Sequence, residues 1–268
     1  MLTITTIQTD LHWENKEANL RMLEDKLRNL EQPTEIVVLP EMFSTGFSMR
    51  PAALAENMDG ETVNWMKDMS ARYKVVLAGS VIIEEEGKFY NRFIWMLPNG
   101  QYGIYDKRHR FAFAGEAQFY TAGNKRMIAS VKGWKINLQV CYDLRFPVWA
   151  RQQLNTNDSG ERAPEYDVLI YVANWPERRS HAWKTLLCAR AIENQCYVIG
   201  VNRVGKDGND IYHSGNSMVI DPLGEVLYHM ADEEDIFTIT LQREHLENVR
   251  SRFPFWRDGD SFSILNNQ

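Results

Sequence analysis

Cys141 lies where a strand is predicted to end and a helix to begin, a position that suits a nucleophile. Residues 135–140 alternate between apolar and polar as in a half-buried strand, and acidic, basic and proline residues follow. A side chain at such an elbow faces the crevice beyond the strand, and a thiol there forms covalent intermediates when a neighbour removes its proton. The alternative is that Cys141 is a small buried hydrophobic residue, as most free cysteines are.

Two other reactive side chains also follow predicted strands. Glu41 ends the apolar run 35–41, and Lys107 ends the run 101–107. Because ligands bind at the carboxyl ends of strands in open α/β sheets, we expect Glu41, Lys107 and Cys141 to meet there. Together they suit amide hydrolysis, in which the carboxylate accepts the thiol proton, the thiolate attacks the carbonyl and the ammonium binds the oxyanion. The alternatives are a surface carboxylate for Glu41 and a surface ion pair for Lys107.

Composition and charge favour an ordinary soluble protein. The 268 residues are 44% apolar and 12% aromatic, enough for a sizeable core, and the formal net charge is −6. The negative charge argues against nucleic-acid binding, and the longest apolar run, residues 75–83, is too short to span a bilayer. The first residues lack the basic and apolar segments of a secretory signal, so we expect a cytoplasmic protein. Three unclustered cysteines and scattered histidines indicate free thiols and no metal site.

Strands alternate with helices along the chain, and hairpins interrupt the alternation. Hydrophobic periodicity predicts helices over residues 15–31, 62–73, 147–154 and 178–195, strands that include 2–8, 75–83 and 196–204, and loops over 108–123 and 155–164. This order indicates an α/β protein with mixed sheets, and two stacked sheets with helices outside suit so many strands better than one flat sheet. Since no linker or repeat divides the chain, we expect a single domain over residues 1–268.

Three motifs, taken in this order, resemble the nitrilase superfamily of carbon–nitrogen hydrolases. They are Leu39-Pro40-Glu41-Met42-Phe43, Tyr105-Asp106-Lys107-Arg108-His109 and Val140-Cys141-Tyr142-Asp143-Leu144-Arg145-Phe146-Pro147. Residues 173–176 and 189–194 are also similar to family segments, and overall similarity favours the omega-amidase branch. The resemblance implies a four-layer α-β-β-α sandwich of two stacked mixed sheets. It also implies a homodimer or higher homo-oligomer, with residues 178–195 and the tail from about residue 250 at the interface; packing of the tail within its own subunit is the alternative.

The resemblance implies catalytic roles for these residues. Cys141 is expected to be the nucleophile, Glu41 its general base, and Lys107 the oxyanion donor together with the backbone N–H of Tyr142. Glu116 is expected to be a second carboxylate of the site, although a solvated loop glutamate fits its position nearly as well.

Substrate-binding residues are expected from the same resemblance. Arg145 is a candidate to bind a substrate carboxylate, because a guanidinium forms a bidentate pair with that group; an ion pair with Asp143 or another acid is its alternative. The remaining candidates are Tyr142, Asn174, Trp175 and Phe119, whose alternative is ordinary core packing.

The expected reaction needs no metal or organic cofactor. Cys141 attacks the terminal amide of a small-molecule substrate, an omega-amido (2-oxo) dicarboxylic acid such as 2-oxoglutaramate, and expels ammonia to leave a thioester. A water activated by Glu41 then hydrolyses that thioester. Within the superfamily, an N-carbamoyl compound or deaminated glutathione is the alternative substrate. Two other classes remain: a Cys–His hydrolase whose base is His109, His181 or His213, and a non-catalytic binding protein.

Overall fold

Strands and helices alternate along the chain, which the computed structural model describes over residues 1–156 and 162–265. The strands of these residues are β1 (Leu2–Gln8), β2 (Ile36–Val38), β3 (Val76–Glu85), β4 (Lys88–Met96), β5 (Tyr102–Asp106), β6 (Ile128–Val131), β7 (Trp134–Val140), β8 (Leu154–Thr156), β9 (Arg162–Pro164), β10 (Val168–Val172), β11 (Tyr197–Val201), β12 (Val204–Lys206), β13 (Tyr212–Ile220), β14 (Val226–Ala231) and β15 (Asp235–Leu241). The α-helices are α1 (Lys16–Arg28), α2 (Pro51–Leu54), α3 (Glu61–Tyr73), α4 (Glu116–Phe119), α5 (Pro147–Ala150), α6 (Ser180–Asn194) and α7 (Arg243–Arg252). Within these two ranges, no helix combines the length and the apolar character that crossing a membrane requires.

Two mixed sheets form the middle of the molecule. The first has the strand order β15-β1-β2-β3-β4-β5, in which β1, β2 and β3 are parallel. The second has the order β12-β13-β11-β10-β7-β6, with β14 beside β13 and with β7, β10 and β11 parallel. Because parallel neighbours need a crossover, helices connect them: α1 joins β1 to β2, α3 lies between β2 and β3, and α6 joins β10 to β11.

The side chains of β2 show how the layers pack. Ile36 and Val38 belong to an apolar cluster that joins both sheets, whereas Val37 packs in a second cluster with Leu23 of α1 and Met66 of α3. Successive side chains of a strand point to opposite faces, so both faces of the first sheet are covered. On the far side of the second sheet, α6 packs against β11 and β13. The expected four-layer α-β-β-α sandwich is therefore confirmed.

Several predicted boundaries are wrong for local reasons. The helix over 147–154 ends at Ala150, because the Gln152 backbone N–H donates to Asn194 Oδ1 (2.9 Å) rather than to its own turn. The strand over 196–204 is two strands, separated at Asn202, whose side chain donates to backbone carbonyls of two other segments. The predicted loop over 108–123 contains a 3-10 turn and α4. The predicted loop over 155–164 contains β9, which pairs with β8, and residues 157–161 of that loop lie outside the described ranges.

The C-terminal segment packs against the end of α6. Gln195 Nε2 donates to the Phe253 carbonyl (2.7 Å), and the Trp256 backbone N–H donates to Gln195 Oε1 (3.0 Å). Phe255 between them is 65% exposed. The tail is thus anchored on its own subunit, and its place at a subunit interface stays a prediction.

Candidate active site

Glu41, Lys107 and Cys141 converge at one end of the two sheets. Glu41 begins the turn after β2, Lys107 directly follows β5, and Cys141 directly follows β7. Lys107 Nζ lies 2.9 Å from Glu41 Oε1, and the Cys141 thiol lies close enough to both groups for their charges to shift its pKa. Glu41 is fully buried and Lys107 almost so, while Cys141 keeps 9% exposure. The structure therefore brings a base, an ammonium and a thiol into contact, with only the thiol side open.

Glu116 joins this buried group. Its two carboxylate oxygens lie 3.0 and 2.9 Å from Lys107 Nζ, and the Phe111 backbone N–H also donates to it. Glu116 is fully buried, so the alternative of a solvated loop glutamate is wrong. One ammonium is therefore shared between two carboxylates, in a space from which solvent is excluded.

Burial and charge set the ionisation of the group. Burial disfavours the Lys107 ammonium, but the attraction of Glu116 and Glu41 outweighs it and raises the pKa of Lys107. Burial raises the pKa of Glu116, and the negative charge of Glu41 adds to this rise against the attraction of Lys107. Lys107 therefore stays charged and can bind an oxyanion, as an oxyanion site requires.

The Cys141 thiol is neutral at rest. Burial raises the pKa of the Cys141 thiol well above its ordinary value, and the charge of Glu41 raises it further. A neutral thiol is a weak nucleophile, so its proton has to leave during the attack. Glu41 is the carboxylate whose negative charge acts most strongly on the thiol, so it is the acceptor placed to receive that proton.

Asp143 fixes the turn that carries Cys141. Its carboxylate accepts hydrogen bonds from the Val140 backbone N–H (3.1 Å), the Tyr105 hydroxyl (2.7 Å) and the His109 backbone N–H (2.9 Å). It therefore ties the end of β7 to the segment around Lys107. Sequence reasoning considered Asp143 only as a partner for an arginine, although an acid two residues after the nucleophile was a usable signal.

Asn91 and Asn174 hold the base. Asn91 Nδ2 donates to Glu41 Oε1 (2.7 Å), and the Asn174 backbone N–H donates to Glu41 Oε2 (2.8 Å). Asn174 Nδ2 also donates to the Glu41 carbonyl (2.5 Å). Sequence reasoning missed Asn91, for which the signal was a polar residue within the apolar strand β4.

A cavity of about 210 Å³ opens over Cys141. Four of the side chains expected to contact substrate line it, namely Tyr142, Arg145, Asn174 and Trp175. Phe119 does not line it and is 45% exposed, so that expectation is wrong. The side chain is on α4, whose first residue is turned inward to Lys107, and the aromatic wall comes from Phe111 and Phe113 of the preceding segment instead.

Arg145 is exposed at the cavity and lies beside Trp175. Its guanidinium lies 5.1 Å from the centroid of the Trp175 ring. No carboxylate of residues 1–156 or 162–265 is within ion-pair distance of it, and Asp143 is directed elsewhere. The proposed alternative of an ion pair with Asp143 is therefore wrong, and the guanidinium N–H groups can meet a ligand.

The sequence matches the family described as carbon–nitrogen hydrolase over residues 3–251. The chain belongs to the carbon–nitrogen hydrolase family. It is 44% identical to the omega-amidase YafV of Escherichia coli (strain K12) over 267 residues, which cover 98% of each chain. It is 30% identical to the 2-oxoglutaramate amidase of Bacillus subtilis (strain 168), with 96% of each covered. A solved CN-hydrolase superfamily protein from Xanthomonas campestris, with an arsenic adduct in its active site, superposes with a TM-score of 0.94 at 42% identity and 98% coverage of both.

The three histidines considered as bases for Cys141 in this carbon–nitrogen hydrolase are not suited to that role. His109 Nδ1 is hydrogen-bonded to Asp143 (2.8 Å), and His181 is exposed on α6. His213 lines the cavity, but burial and the neighbouring Arg203 lower its pKa to about 4, which makes it a poor base. The geometry therefore favours Glu41 over a histidine as the group that accepts the thiol proton.

Proposed function

We propose that this carbon–nitrogen hydrolase is an omega-amidase that cleaves the terminal amide of a small omega-amido 2-oxo dicarboxylic acid such as 2-oxoglutaramate. The observation that carries the proposal is the buried Glu41–Lys107–Cys141 group beneath a cavity lined by Arg145, which forms no ion pair with residues 1–156 or 162–265. Its relatives include proteins named omega-amidase and 2-oxoglutaramate amidase, which supports the same substrate class.

The reaction has two halves. The substrate amide enters with its carbonyl carbon over Cys141, and Glu41 takes the thiol proton as the sulfur attacks. Lys107, with the Tyr142 backbone N–H, binds the oxyanion, an interaction typically worth about 3 kcal/mol per donor. The proton passes to the leaving nitrogen, ammonia departs and a thioester remains. Glu41 then deprotonates a water that hydrolyses the thioester. Glu116 is proposed to hold Lys107 in place and to orient the amide.

Substrate binding is assigned to the cavity wall. We propose that Arg145 binds the carboxylate of the substrate, because its guanidinium lies against Trp175 and pairs with no carboxylate of residues 1–156 or 162–265. Tyr142, Asn174 and Trp175 are proposed to enclose the carbon chain between that carboxylate and Cys141.

Two measurements test this function. Ammonia release is measured for a panel of omega-amido acids, ureido acids and nitriles; turnover of ureido acids alone would contradict the amidase assignment. Intact-mass analysis of the protein mixed with 2-oxoglutaramate should show an acyl adduct on Cys141. Replacing Cys141 with Ala should remove the adduct, and replacing Glu41 with Gln should prevent its formation.

We also propose a cytoplasmic homodimer or higher homo-oligomer. The three cysteines are free, which suits a reducing compartment, and Ile192 of α6 and Phe255 of the tail are 55% and 65% exposed. Light scattering of the purified protein tests the assembly: a monomer at micromolar concentration would contradict it, and polar substitutions of these two residues should weaken a dimer.

A further inference from the structure

Three arginines line the cavity over Cys141. Arg145 lies on the 3-10 turn Cys141–Arg145, and Arg178 and Arg179 lie on the 3-10 turn Glu177–Arg179. No ion pair to a carboxylate of residues 1–156 or 162–265 involves any of them, whereas the buried Arg92 contacts Glu85 and Asp106. Three like charges that form no ion pair with a carboxylate of the described residues indicate that the cavity receives an anion.

Arg179 differs from its two neighbours in burial. It is half-buried while Arg178 and Arg145 are exposed, and its guanidinium lies 4.9 Å from the centroid of the Phe111 ring. Its backbone carbonyl accepts a hydrogen bond from Trp175 Nε1 (2.7 Å), which fixes the residue beside the cavity wall. An aromatic face holds a guanidinium in position without using its N–H donors, so Arg179 presents those donors already oriented.

The electrostatic environment of Arg179 also indicates that the cavity binds an anionic ligand. Burial lowers the pKa of Arg179, and repulsion from Arg178 and Arg145 lowers it further. The acid on the cavity wall, Asp207, already accepts the backbone N–H groups of Asn209 and Ile211 with Oδ1. A bound carboxylate would relieve the repulsion among the arginines.

We propose that Arg179 is a specificity-determining residue that binds the substrate carboxylate together with Arg145. The inference rests on the proposed amidase function and adds to it a second arginine that selects omega-amides with an anionic group at the end away from the amide. Uncharged amides of the same length lack the group that Arg179 binds and are poor substrates.

The test compares two substrates in one variant. Arg179→Met keeps an unbranched side chain against Phe111 but removes the charge. We expect kcat/KM for 2-oxoglutaramate to fall by about 10- to 100-fold, mainly through KM, since a charge-assisted hydrogen bond is worth roughly that factor. For pentanamide, which has no carboxylate, kcat/KM should change by less than about threefold, a limit set by the roughly 0.6 kcal/mol that RT represents. Equal losses on both substrates would overturn the inference and leave amide hydrolysis intact.

Neighbouring variants sharpen the comparison. Arg179→Lys keeps the charge without the planar fork and should give an intermediate loss. Arg178→Met, at the exposed neighbour, should give a smaller loss than Arg179→Met because exposed charges are screened; the reverse order would overturn the assignment. Arg28→Met, on the outer face of α1 and paired to Asp25, is the remote control.

A binding measurement separates this inference from the proposed function. In a Cys141→Ala background, calorimetry measures the affinity for 2-oxoglutarate with and without Arg179→Met. A weakening of about 10- to 100-fold supports the inference even if no amide is turned over. Absence of dicarboxylate binding in the Cys141→Ala protein, or equal affinity in both, would overturn it.

Discussion

Replacing Lys107 with Met tests whether one buried ammonium holds two buried carboxylates. Lys107 Nζ contacts Glu41 at 2.9 Å and Glu116 at 3.0 and 2.9 Å, and both acids are fully buried. Met has a similar length and no charge, so the variant leaves two carboxylates without a counter-ion. Breaking a buried ion pair by removing one partner costs about 3–5 kcal/mol of unfolding free energy.

The geometry gives a similar magnitude. Oxygens that both contact Lys107 Nζ at 2.9 Å are at most about 6 Å apart, and two charges at that distance repel by about 3 kcal/mol at an effective dielectric constant of about 20. We therefore expect the variant to lose about 3–5 kcal/mol at pH 8. Adding Glu116→Gln removes one of the two charges and should recover part of this loss.

The pH dependence has a definite sign. Lys107 lowers the pKa of Glu116, so without it the already raised pKa of Glu116 rises further. A carboxyl group with a raised pKa in the folded state keeps its full stability below the unfolded pKa and loses stability as pH rises through the folded pKa. The deficit of Lys107→Met relative to wild type should therefore be larger at pH 8 than at pH 5.

Urea unfolding followed by tryptophan fluorescence at pH 5, 6.5 and 8 measures these differences. The matched control is Lys132→Met, which breaks an exposed ion pair with Glu35 and should cost no more than about 1 kcal/mol. A Lys107→Met protein as stable as this control, with a deficit that does not change with pH, would refute the reasoning that the carboxylates depend on Lys107.

Three further predictions address the nucleophile, its turn and the core. Glu41→Gln should abolish amide hydrolysis but lower the pKa of the Cys141 thiol, because the negative charge that raises this pKa is removed. The pH dependence of alkylation by iodoacetamide measures the thiol pKa, and an unchanged or higher value would contradict the prediction. Asp143→Ala leaves buried backbone and hydroxyl donors without an acceptor and should cost about 2–4 kcal/mol in urea unfolding, with a loss of kcat. Gly200→Ala places a methyl group 2.8 Å from Trp183 and should cost about 1–3 kcal/mol; unchanged thermal unfolding would show that α6 can move away from β11.

Local sequence patterns were sufficient to predict most of the strands and helices. Trp134–Val140 forms the strand that its alternation predicts, and Glu61–Tyr73 forms the helix that its apolar spacing predicts within one residue. A strand that buries one face, or a helix that buries one side, has apolar residues that recur with a fixed period in the sequence. The predicted ends of helices were wrong where a distant side chain replaced a local hydrogen bond. Asn194 does this at Gln152, and such a partner leaves no pattern in the neighbouring sequence.

The sequence by itself determined the order of strands and helices, the four-layer sandwich through its family motifs, and three reactive side chains at strand ends. Only the tertiary structure decided that Glu116 is buried against Lys107 and that Phe119 faces away from the cavity. Nor does the sequence show that Arg179 lies beside the cavity over Cys141 and forms no ion pair with an acid of the described residues. The physical reason is that strand ends are set by local periodicity, whereas burial, ion pairing and cavity lining depend on which distant segments approach one another.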